Sequence, residues 1–356
     1  MSKPFDVIII GAGIIGATCF YVMTLAGKRC LLLDDKQLSC GVTGASGCIV
    51  RVTHASWEAT RAAAQGYHFY RQLAQDSGGQ VPFTETGYLH FAEPHALADM
   101  QGWLEREGVP AQLLDSRALA ARYPALPITA QMALHEPGSG YMEARPTLQY
   151  LVQSAIAQGG VYHDAVKVHA VRVDVASRQA VGVLSSNGDY DGAQVIVAMG
   201  NGTSEFLIRQ FGDAFGLWSQ HIQVTRFKGA TPLPEAPCFI DDINQLNGRP
   251  CPLTGGLYVG YPTGMRVPAS HSYMPAQLSH AQLTREQGQR RFPWLQDASV
   301  EGALCHSDCY SEQPIGLIGK QPGLPGGVLV ASGFSGGGFK MAPHVAMQLA
   351  RVISQG

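Results

Sequence analysis

Charged residues are scarce in this chain of 356 residues, at 15%, and the formal net charge is only −2. Proteins that bind nucleic acid usually carry a basic surface, so nucleic acid is not an expected partner. The eight cysteines form no CxxC pair, and Cys305 and Cys309 have only His306 beside them. No metal site is therefore predicted. Free thiols are typical of a reducing cytoplasm, which is the expected location.

Two further absences bear on membranes and secretion. Residues 7–26 form a mostly apolar run of about the length that spans a bilayer, but glycines interrupt its start and an apolar strand pattern follows it directly. No cationic segment or small-residue cleavage site precedes it. We therefore expect neither an integral membrane span nor a signal peptide.

Glycine, by contrast, is abundant, with 42 residues. Gly11, Gly13 and Gly16 follow the apolar run Val7–Ile10 with G-x-G-x-x-G spacing. In such a motif the first glycine allows a tight turn, the second admits a pyrophosphate, and the third packs helix against strand. A helix pattern follows, and its positive N-terminus attracts phosphate. This predicts a dinucleotide site, the alternative being a glycine-rich turn without a ligand.

A carboxylate lies where a dinucleotide site needs one. Cys30–Leu33 has the pattern of a second buried strand, and Asp34 ends it. An acidic residue at this distance from the glycines meets a ribose hydroxyl. The loop that follows is rich in Gly, Ser and Thr, so it is able to wrap a cofactor.

The expected fold class is α/β, with two interleaved domains. A second glycine turn, MGNGT, follows the strand pattern Gln194–Ala198, far from the first. We predict a Rossmann-like domain of the glutathione-reductase type, built from residues 1–50, 145–205 and 300–356. Residues 51–144 and 206–299 would form an α+β substrate-binding or cap domain with an antiparallel sheet. Two consecutive domains are the alternative.

Two local expectations are tested below. Residues 93–123 have the pattern of two amphipathic helices, with Leu113 among their apolar positions. Gly333–Lys340 is predicted to be a loop that precedes a closing helix at Ala342–Ile353.

Four stretches resemble the superfamily of FAD enzymes that contains D-amino-acid oxidase, glycine oxidase and monomeric sarcosine oxidase. They are VIIIGAGIIG with LLLD, the loop ending IVR, VIVAMGNGT, and GFSGGGFKMAP. The last is close to the sarcosine-oxidase signature, although Gly337 stands where that family carries histidine. The resemblance implies FAD in an extended pose, with the first glycine turn at the pyrophosphate and Asp34 at the adenosine ribose.

The resemblance also implies which residues contact FAD. Val166 and Val168 would lie near the adenine, and the loop after Gly333 would flank the isoalloxazine ring. The expected contacts are Gly11, Gly13, Ile14, Ile15, Gly16, Asp34, Asp35, Ser46, Val166, Val168, Gly200, Cys305, Gly333, Phe334, Ser335, Gly336, Gly338 and Lys340. Cys305 falls near a cysteine that bonds covalently to the flavin in sarcosine-oxidase-like enzymes; a buried free thiol is the alternative, and Cys309 shares this ambiguity.

The chemistry implied is hydride transfer to flavin N5 from a small amino acid or N-alkyl amino acid, followed by hydrolysis of the imine. Arg51 matches the family's carboxylate-binding arginine, and Lys340 matches a second cation. The alternatives are solvated charges or, for Arg51, a contact to FAD phosphate. His54 would orient the substrate or be a satisfied loop histidine. Tyr258 stands where sarcosine oxidase carries an oxygen-activating lysine, unless the alignment fails there.

The sequence is compatible with two kinds of electron acceptor. Electrons would pass to O₂, giving hydrogen peroxide, or to a quinone or partner protein, and the tyrosine at position 258 keeps the second route in view. Rival functions are an FAD monooxygenase that uses NAD(P)H, and an electron-transferring subunit of a larger complex. Tyr141 and Tyr261 are further pocket candidates, as hydrogen-bond donors or as packing residues.

Overall fold

The computed structural model describes residues 3–269 and 273–355. Its helices are α1 (Ile14–Leu25), α2 (Trp57–Asp76), α3 (Pro94–Arg106), α4 (Ser116–Arg122), α5 (Ala144–Ala157), α6 (Gly202–Phe211), α7 (Leu278–Gly288) and α8 (Gly338–Gln355). Its strands are β1 (Phe5–Ile10), β2 (Cys30–Leu33), β3 (Ile49–Val50), β4 (Phe83–Glu85), β5 (Tyr88–Phe91), β6 (Gln112–Asp115), β7 (Met132–Glu136), β8 (Gly140–Met142), β9 (Val161–His163), β10 (Val168–Asp174), β11 (Gln179–Ser185), β12 (Gly188–Val197), β13 (Trp218–Lys228), β14 (Cys238–Asp241), β15 (Leu246–Cys251), β16 (Gly256–Gly260), β17 (Ser299–Tyr310), β18 (Leu317–Gly319) and β19 (Val328–Ser332).

The strand order of the first sheet is β10-β11-β12-β1-β2-β9. Strand β19 also pairs with β12, and β18 pairs with β19. Its centre is parallel: Ile8 of β1 lies between Leu31 of β2 and Val195 of β12. These strands are apolar because both faces of the sheet are covered. Helices α1, α5 and α8 pack on one face, while β10, β11 and α6 contribute to the apolar cluster on the other. The carboxyl ends of β1, β2 and β12 therefore share one edge, where ligands bind in open α/β sheets.

The second sheet is mainly antiparallel, and its strand order is β17-β13-β16-β15-β14-β5-β7-β6. One face packs on an apolar cluster that includes Leu89, Phe239 and Phe292. A small sheet, β3-β8-β4, includes the strand that directly precedes Arg51. The expected α/β fold with an antiparallel sheet in its second part is confirmed.

The division into domains stays a proposal, but sheet membership corrects one boundary. The sequence pattern predicts that residues 300–356 belong to the nucleotide-binding domain. β17 pairs with β13 along most of its length, from Lys228↔Ser299 to Trp218↔Tyr310. This strand therefore belongs to the second sheet, and only the residues after Tyr310 return to the first.

Both local expectations were partly wrong. In residues 93–123, Leu113 lies in β6 and pairs with Leu134, because long-range strand pairing overrides the local helical pattern. The closing helix begins at Gly338, four residues earlier than predicted. Lys340 is therefore held on the first turn of a helix, although it was predicted in a loop. Among the described residues, no helix is long and apolar enough to cross a membrane.

Gly66 sets the distance between α2 and α8. A Cβ added there would lie 1.7 Å from the carbonyl oxygen of Lys340, so Gly66→Ala must push the two helices apart. Overpacking of this kind costs about 1–3 kcal/mol or more, and we expect that loss in the free energy of unfolding. Gly102→Ala is the control, because that helical glycine faces open space and alanine there should be neutral or stabilising. Equal thermal stability of the two variants would contradict the packing account.

Candidate active site

A cavity of about 900 Å³ extends from the carboxyl ends of β1 and β2 to one face of the second sheet. This is near the upper end of ligand pockets, which are roughly 300–1,000 Å³. Most of the predicted site residues line it: Gly11, Gly13, Ile14, Ile15, Asp34, Asp35, Ser46, Arg51, His54, Val166, Val168, Gly200, Tyr258, Gly333, Phe334, Ser335, Gly336, Gly338 and Lys340. Gly16 and Cys305 are not in this lining.

The first glycine turn forms a tight cradle at one end of the cavity. Gly11 has φ +104°, and a Cβ there would lie 2.4 Å from the Ala198 oxygen. A Cβ on Gly16 would lie 1.8 Å from the Gly11 oxygen, so Gly16 serves close packing as predicted. Gly13 caps α1 without a side-chain hydrogen bond. The N–H of Ile14 donates to Thr43 Oγ1 at 3.1 Å, and the helix N-terminus lines the cavity, where its dipole favours an anion such as a pyrophosphate.

Asp34 lies beside this turn. Its carboxylate accepts hydrogen bonds from the backbone N–H of Ala12 at 2.5 Å and of Lys36 at 2.8 Å. Burial raises the pKa of Asp34, while these two N–H groups lower it. The backbone N–H of Val166 donates to the Asp34 carbonyl at 2.8 Å, so the predicted ribose and adenine contacts lie together. A carboxylate has lone pairs left for a ribose hydroxyl.

The glycine-rich loop that begins at Gly333 lines the other end of the cavity. Gly333 and Gly336 have φ of +79° and +81°, which glycine adopts without strain. The N–H of Gly337 donates to the Phe334 carbonyl at 2.7 Å, which folds the loop into a turn before α8. The N–H of Gly336 donates to Asp308 Oδ2 at 3.1 Å. The glycine turn at the N-terminus of α1, the Asp34 carboxylate and this second turn line one cavity, and together they fit the shape and chemistry of FAD.

Arg51 is buried in the cavity wall with its charge unpaired. It is 8% exposed, and its guanidinium carbon lies 5.3 Å from the centre of the Tyr88 ring. Nη1 is buried and has no hydrogen-bond partner in residues 3–269 and 273–355. A buried guanidinium without an anion is costly, so this group is poised to bind one.

Glu136 positions the segment that carries Arg51. Its buried carboxylate accepts hydrogen bonds from the backbone N–H of Val52 at 2.9 Å and of Thr53 at 2.7 Å. The hydroxyls of Ser139, at 2.6 Å, and Thr53 also donate to it. Four donors satisfy the buried charge and fix the backbone on the C-terminal side of Arg51.

Lys340 and His54 lie near Arg51. Burial, and then the charge of Arg51, lowers the pKa of Lys340 well below its usual value, while Asp308 raises it. Burial lowers the pKa of His54 too, with Arg51, Lys340 and His90 adding to the effect. His54 is therefore a neutral imidazole near neutral pH, and its Nε2 is buried without a partner among the described residues. The three groups lie together in the cavity lining, beside the glycine-rich loop that begins at Gly333.

Tyr258 of β16 lines the cavity, but its neighbour Arg249 was not predicted from the sequence. Arg249 of β15 lies directly opposite Tyr258 in the strand register and lines the same cavity. Tyr261 is also in the lining, while Tyr141 is not. Asp308 was missed as well. No local pattern marks Arg249 or Asp308, because each reaches the cavity through strand pairing with distant segments.

The covalent flavin link through Cys305 gains no support from the geometry. Cys305 is outside the cavity lining, whereas Cys309 is inside it. Burial raises the pKa of both thiols, to about 11 for Cys309, so neither is a thiolate at neutral pH. The link remains a prediction. No cluster of potential metal ligands occurs in the described part of the chain.

The fold and the cavity define a flavin-dependent oxidoreductase. Over residues 6–352 the chain matches the family described as FAD dependent oxidoreductase (DAO), and it belongs to that family. The expected FAD cofactor and enzyme class are thereby confirmed.

Individual relatives support this assignment. Peroxisomal sarcosine oxidase of Homo sapiens is 27% identical over 361 residues, which cover 96% of this chain and 90% of that protein. The structure of glycine oxidase from Bacillus cereus ATCC 14579 superimposes with a TM-score of 0.80 at 18% identity, covering 99% of this chain and 95% of the other. That of L-proline dehydrogenase from P. horikoshii gives 0.85 at 18% identity, with 100% and 94% covered. At these identities, the two structures show a shared fold.

Proposed function

We propose that this enzyme oxidises the C–N bond of a small amino acid or N-alkyl amino acid. The observation that carries the proposal is the unpaired, buried Arg51 beside Lys340, in a cavity that fits FAD. A substrate carboxylate would pair with both cations, Arg51 bidentately. The similarity to sarcosine oxidase supports an N-alkyl amino acid as substrate.

FAD, when bound, would supply two-electron hydride-acceptor chemistry for the substrate C–H bond beside nitrogen. The residues of this chain position that bond. Arg51 and Lys340 hold the carboxylate, and this fixes the α-carbon. Neutral His54 orients the substrate amine through a hydrogen bond at Nε2. The positive charges of Arg51 and Lys340 disfavour a protonated ammonium beside them, which favours the unprotonated nitrogen that oxidation needs. The nitrogen then loses its proton, and water converts the imine to an amine and a carbonyl product.

Lys340 should make the binding of a carboxylate ligand weaker as the pH rises. A bound carboxylate favours the protonated ammonium, whereas burial in the free protein favours the neutral amine. Binding therefore takes up a proton above the lowered pKa of Lys340. We expect the Kd of acetate to rise there with pH, by up to about tenfold per pH unit. Lys340→Met should abolish this dependence, and a Kd that stays constant from neutral to alkaline pH in the unaltered protein would exclude Lys340 from the site.

Product analysis tests the proposed reaction. The FAD-loaded enzyme would be incubated with glycine, sarcosine, D- and L-amino acids, and amines without a carboxylate, under air and with an artificial electron acceptor. We expect a carbonyl product and an amine from a carboxylated member only. Oxygen consumption with hydrogen peroxide formation would identify an oxidase, and turnover only with the artificial acceptor a dehydrogenase. Oxidation of NADPH without any carbonyl product would overturn the proposal in favour of a monooxygenase.

A further inference from the structure

Arg249 provides a second cationic site in the cavity. It is 5% exposed and lies between two tyrosines of different strands. Its guanidinium carbon is 4.1 Å from the centre of the Tyr141 ring and 5.1 Å from that of Tyr258. Cation–π contacts with both rings hold the guanidinium in place, and its N–H groups remain as the means of binding a ligand.

The protein neutralises Arg249 only weakly. Nη1 donates to the Pro250 carbonyl at 3.3 Å. Nη2 lies 3.6 Å from Glu143 Oε1, beyond hydrogen-bonding distance, and the Glu143 side chain is 49% exposed. Pairs with such an exposed partner contribute little. Nε is buried and has no partner among the described residues, so Arg249 retains both charge and donor capacity.

The strand register places Arg249 at a defined distance from the first carboxylate site. Tyr88 of β5 pairs with Cys238 of β14. Phe239 pairs with Gly248 in the antiparallel β14–β15 ladder, which puts Cys238 opposite Arg249. Arg249 and Tyr88 thus share a row across the sheet, and residues in one row point to the same face.

This row sets the backbone spacing of Arg249 and Tyr88. They are two strand spacings apart, about 10 Å. Since the Arg51 guanidinium lies 5.3 Å from the centre of the Tyr88 ring, Arg51 and Arg249 reach the cavity from the same face of the sheet, in different rows of side chains.

We propose that the substrate carries a second carboxylate, which Arg249 binds while Arg51 and Lys340 hold the first. The inference rests on the proposed function and narrows it to amino or N-alkylamino dicarboxylic acids, with the second carboxylate on the side chain or on the N-substituent. A planar guanidinium matches a carboxylate bidentately. A substrate with one carboxylate would leave buried Arg249 with the half-exposed Glu143, 3.6 Å away, as its acidic neighbour.

Inert ligands test this without turnover. Calorimetry on the FAD-loaded protein would compare succinate, glutarate and adipate with their monoamides, which match them in size but carry one carboxylate. We expect the best dicarboxylate to bind at least tenfold more tightly than its own monoamide. Arg249→Met should reduce this ratio to below twofold, because it removes the charge that distinguishes the dicarboxylate from its monoamide and keeps Arg51 and Lys340 of the first site. Glu143→Gln, which removes the neighbouring acid, should keep or increase the ratio.

The outcomes separate this inference from the proposed function. Equal affinities of dicarboxylates and monoamides for the unaltered protein would overturn the second site and leave the first standing. If neither ligand class binds, the carboxylate clamp of the proposed function fails, and the second site fails with it. Arg249→Lys, which keeps the charge but not the bidentate fork, should give an intermediate ratio. If Arg249→Met lowers the affinity for dicarboxylates and for monoamides by the same factor, the role of Arg249 is structural and the second carboxylate site is excluded.

Discussion

Replacing Arg51 with methionine lowers kcat/KM for the carboxylated substrate by roughly 30- to 4,000-fold. Truncating one partner of a buried charge pair costs about 2–5 kcal/mol, and each 1.4 kcal/mol is about tenfold. Methionine keeps much of the buried volume, so the loss should fall on substrate binding and orientation rather than on the fold. The measurement is steady-state kinetics with the best member of the amine panel, together with thermal unfolding.

Arg61→Met is the matched control. Arg61 is an exposed residue of α2 and is outside the cavity lining, so kcat/KM should stay within about twofold, as expected for surface substitutions. Wild-type kinetics in Arg51→Met would show that Arg51 does not bind the substrate. If Arg51→Met instead purifies without FAD and regains wild-type kinetics on carboxylated amines when FAD is added, the result would support the alternative in which Arg51 contacts the FAD phosphate.

Gly16→Ala yields protein that has lost most of its FAD. The added methyl would meet the backbone oxygen of Gly11 at 1.8 Å, and a backbone atom cannot swing aside as a flexible side chain does. Either α1 moves off β1 or the turn opens, and both displace the helix N-terminus that is predicted to bind the pyrophosphate. We expect FAD affinity to fall at least about 100-fold, which corresponds to about 2.7 kcal/mol. Visible absorbance of the purified variant measures the retained flavin.

Gly11→Ala should behave similarly, because it combines φ +104° with a 2.4 Å contact to the Ala198 oxygen. Gly102→Ala is the control, and it should keep a full complement of FAD. If Gly16→Ala instead purifies with stoichiometric FAD and unchanged thermal stability, the close packing of α1 on the turn is not what holds the cofactor site.

The nucleotide end of the site was predictable because its determinants are contiguous. Gly11, Gly13, Gly16 and Asp34 lie within one strand–helix–strand segment, and each glycine has a local geometric reason. The structure places these residues along one cavity, with Gly16 packed beneath it. Their direct contact with FAD remains a prediction.

The substrate end was only partly predictable. Arg51, His54 and Lys340 were found through a family resemblance, while Arg249, Asp308 and Glu136 were missed. Arg249 could be assigned to the site only from the structure, because strand pairing between β15 and β16 brings Tyr258 beside it. Glu136 acts on Thr53, 83 residues away in the chain. Such pairings depend on the register of long-range strand contacts, which no local pattern encodes.

The most direct measurement is anaerobic flavin reduction by a matched pair of amines. Sarcosine and N-methylethylamine share a secondary amine, and only the first carries a carboxylate; a dicarboxylic analogue, N-methylaspartate, would be run beside them. The account predicts rapid bleaching of the flavin by a carboxylated amine and none by N-methylethylamine at the same concentration. Equal bleaching by N-methylethylamine, or no bleaching by any amino acid tested, would contradict a carboxylate-guided amine oxidation in this cavity.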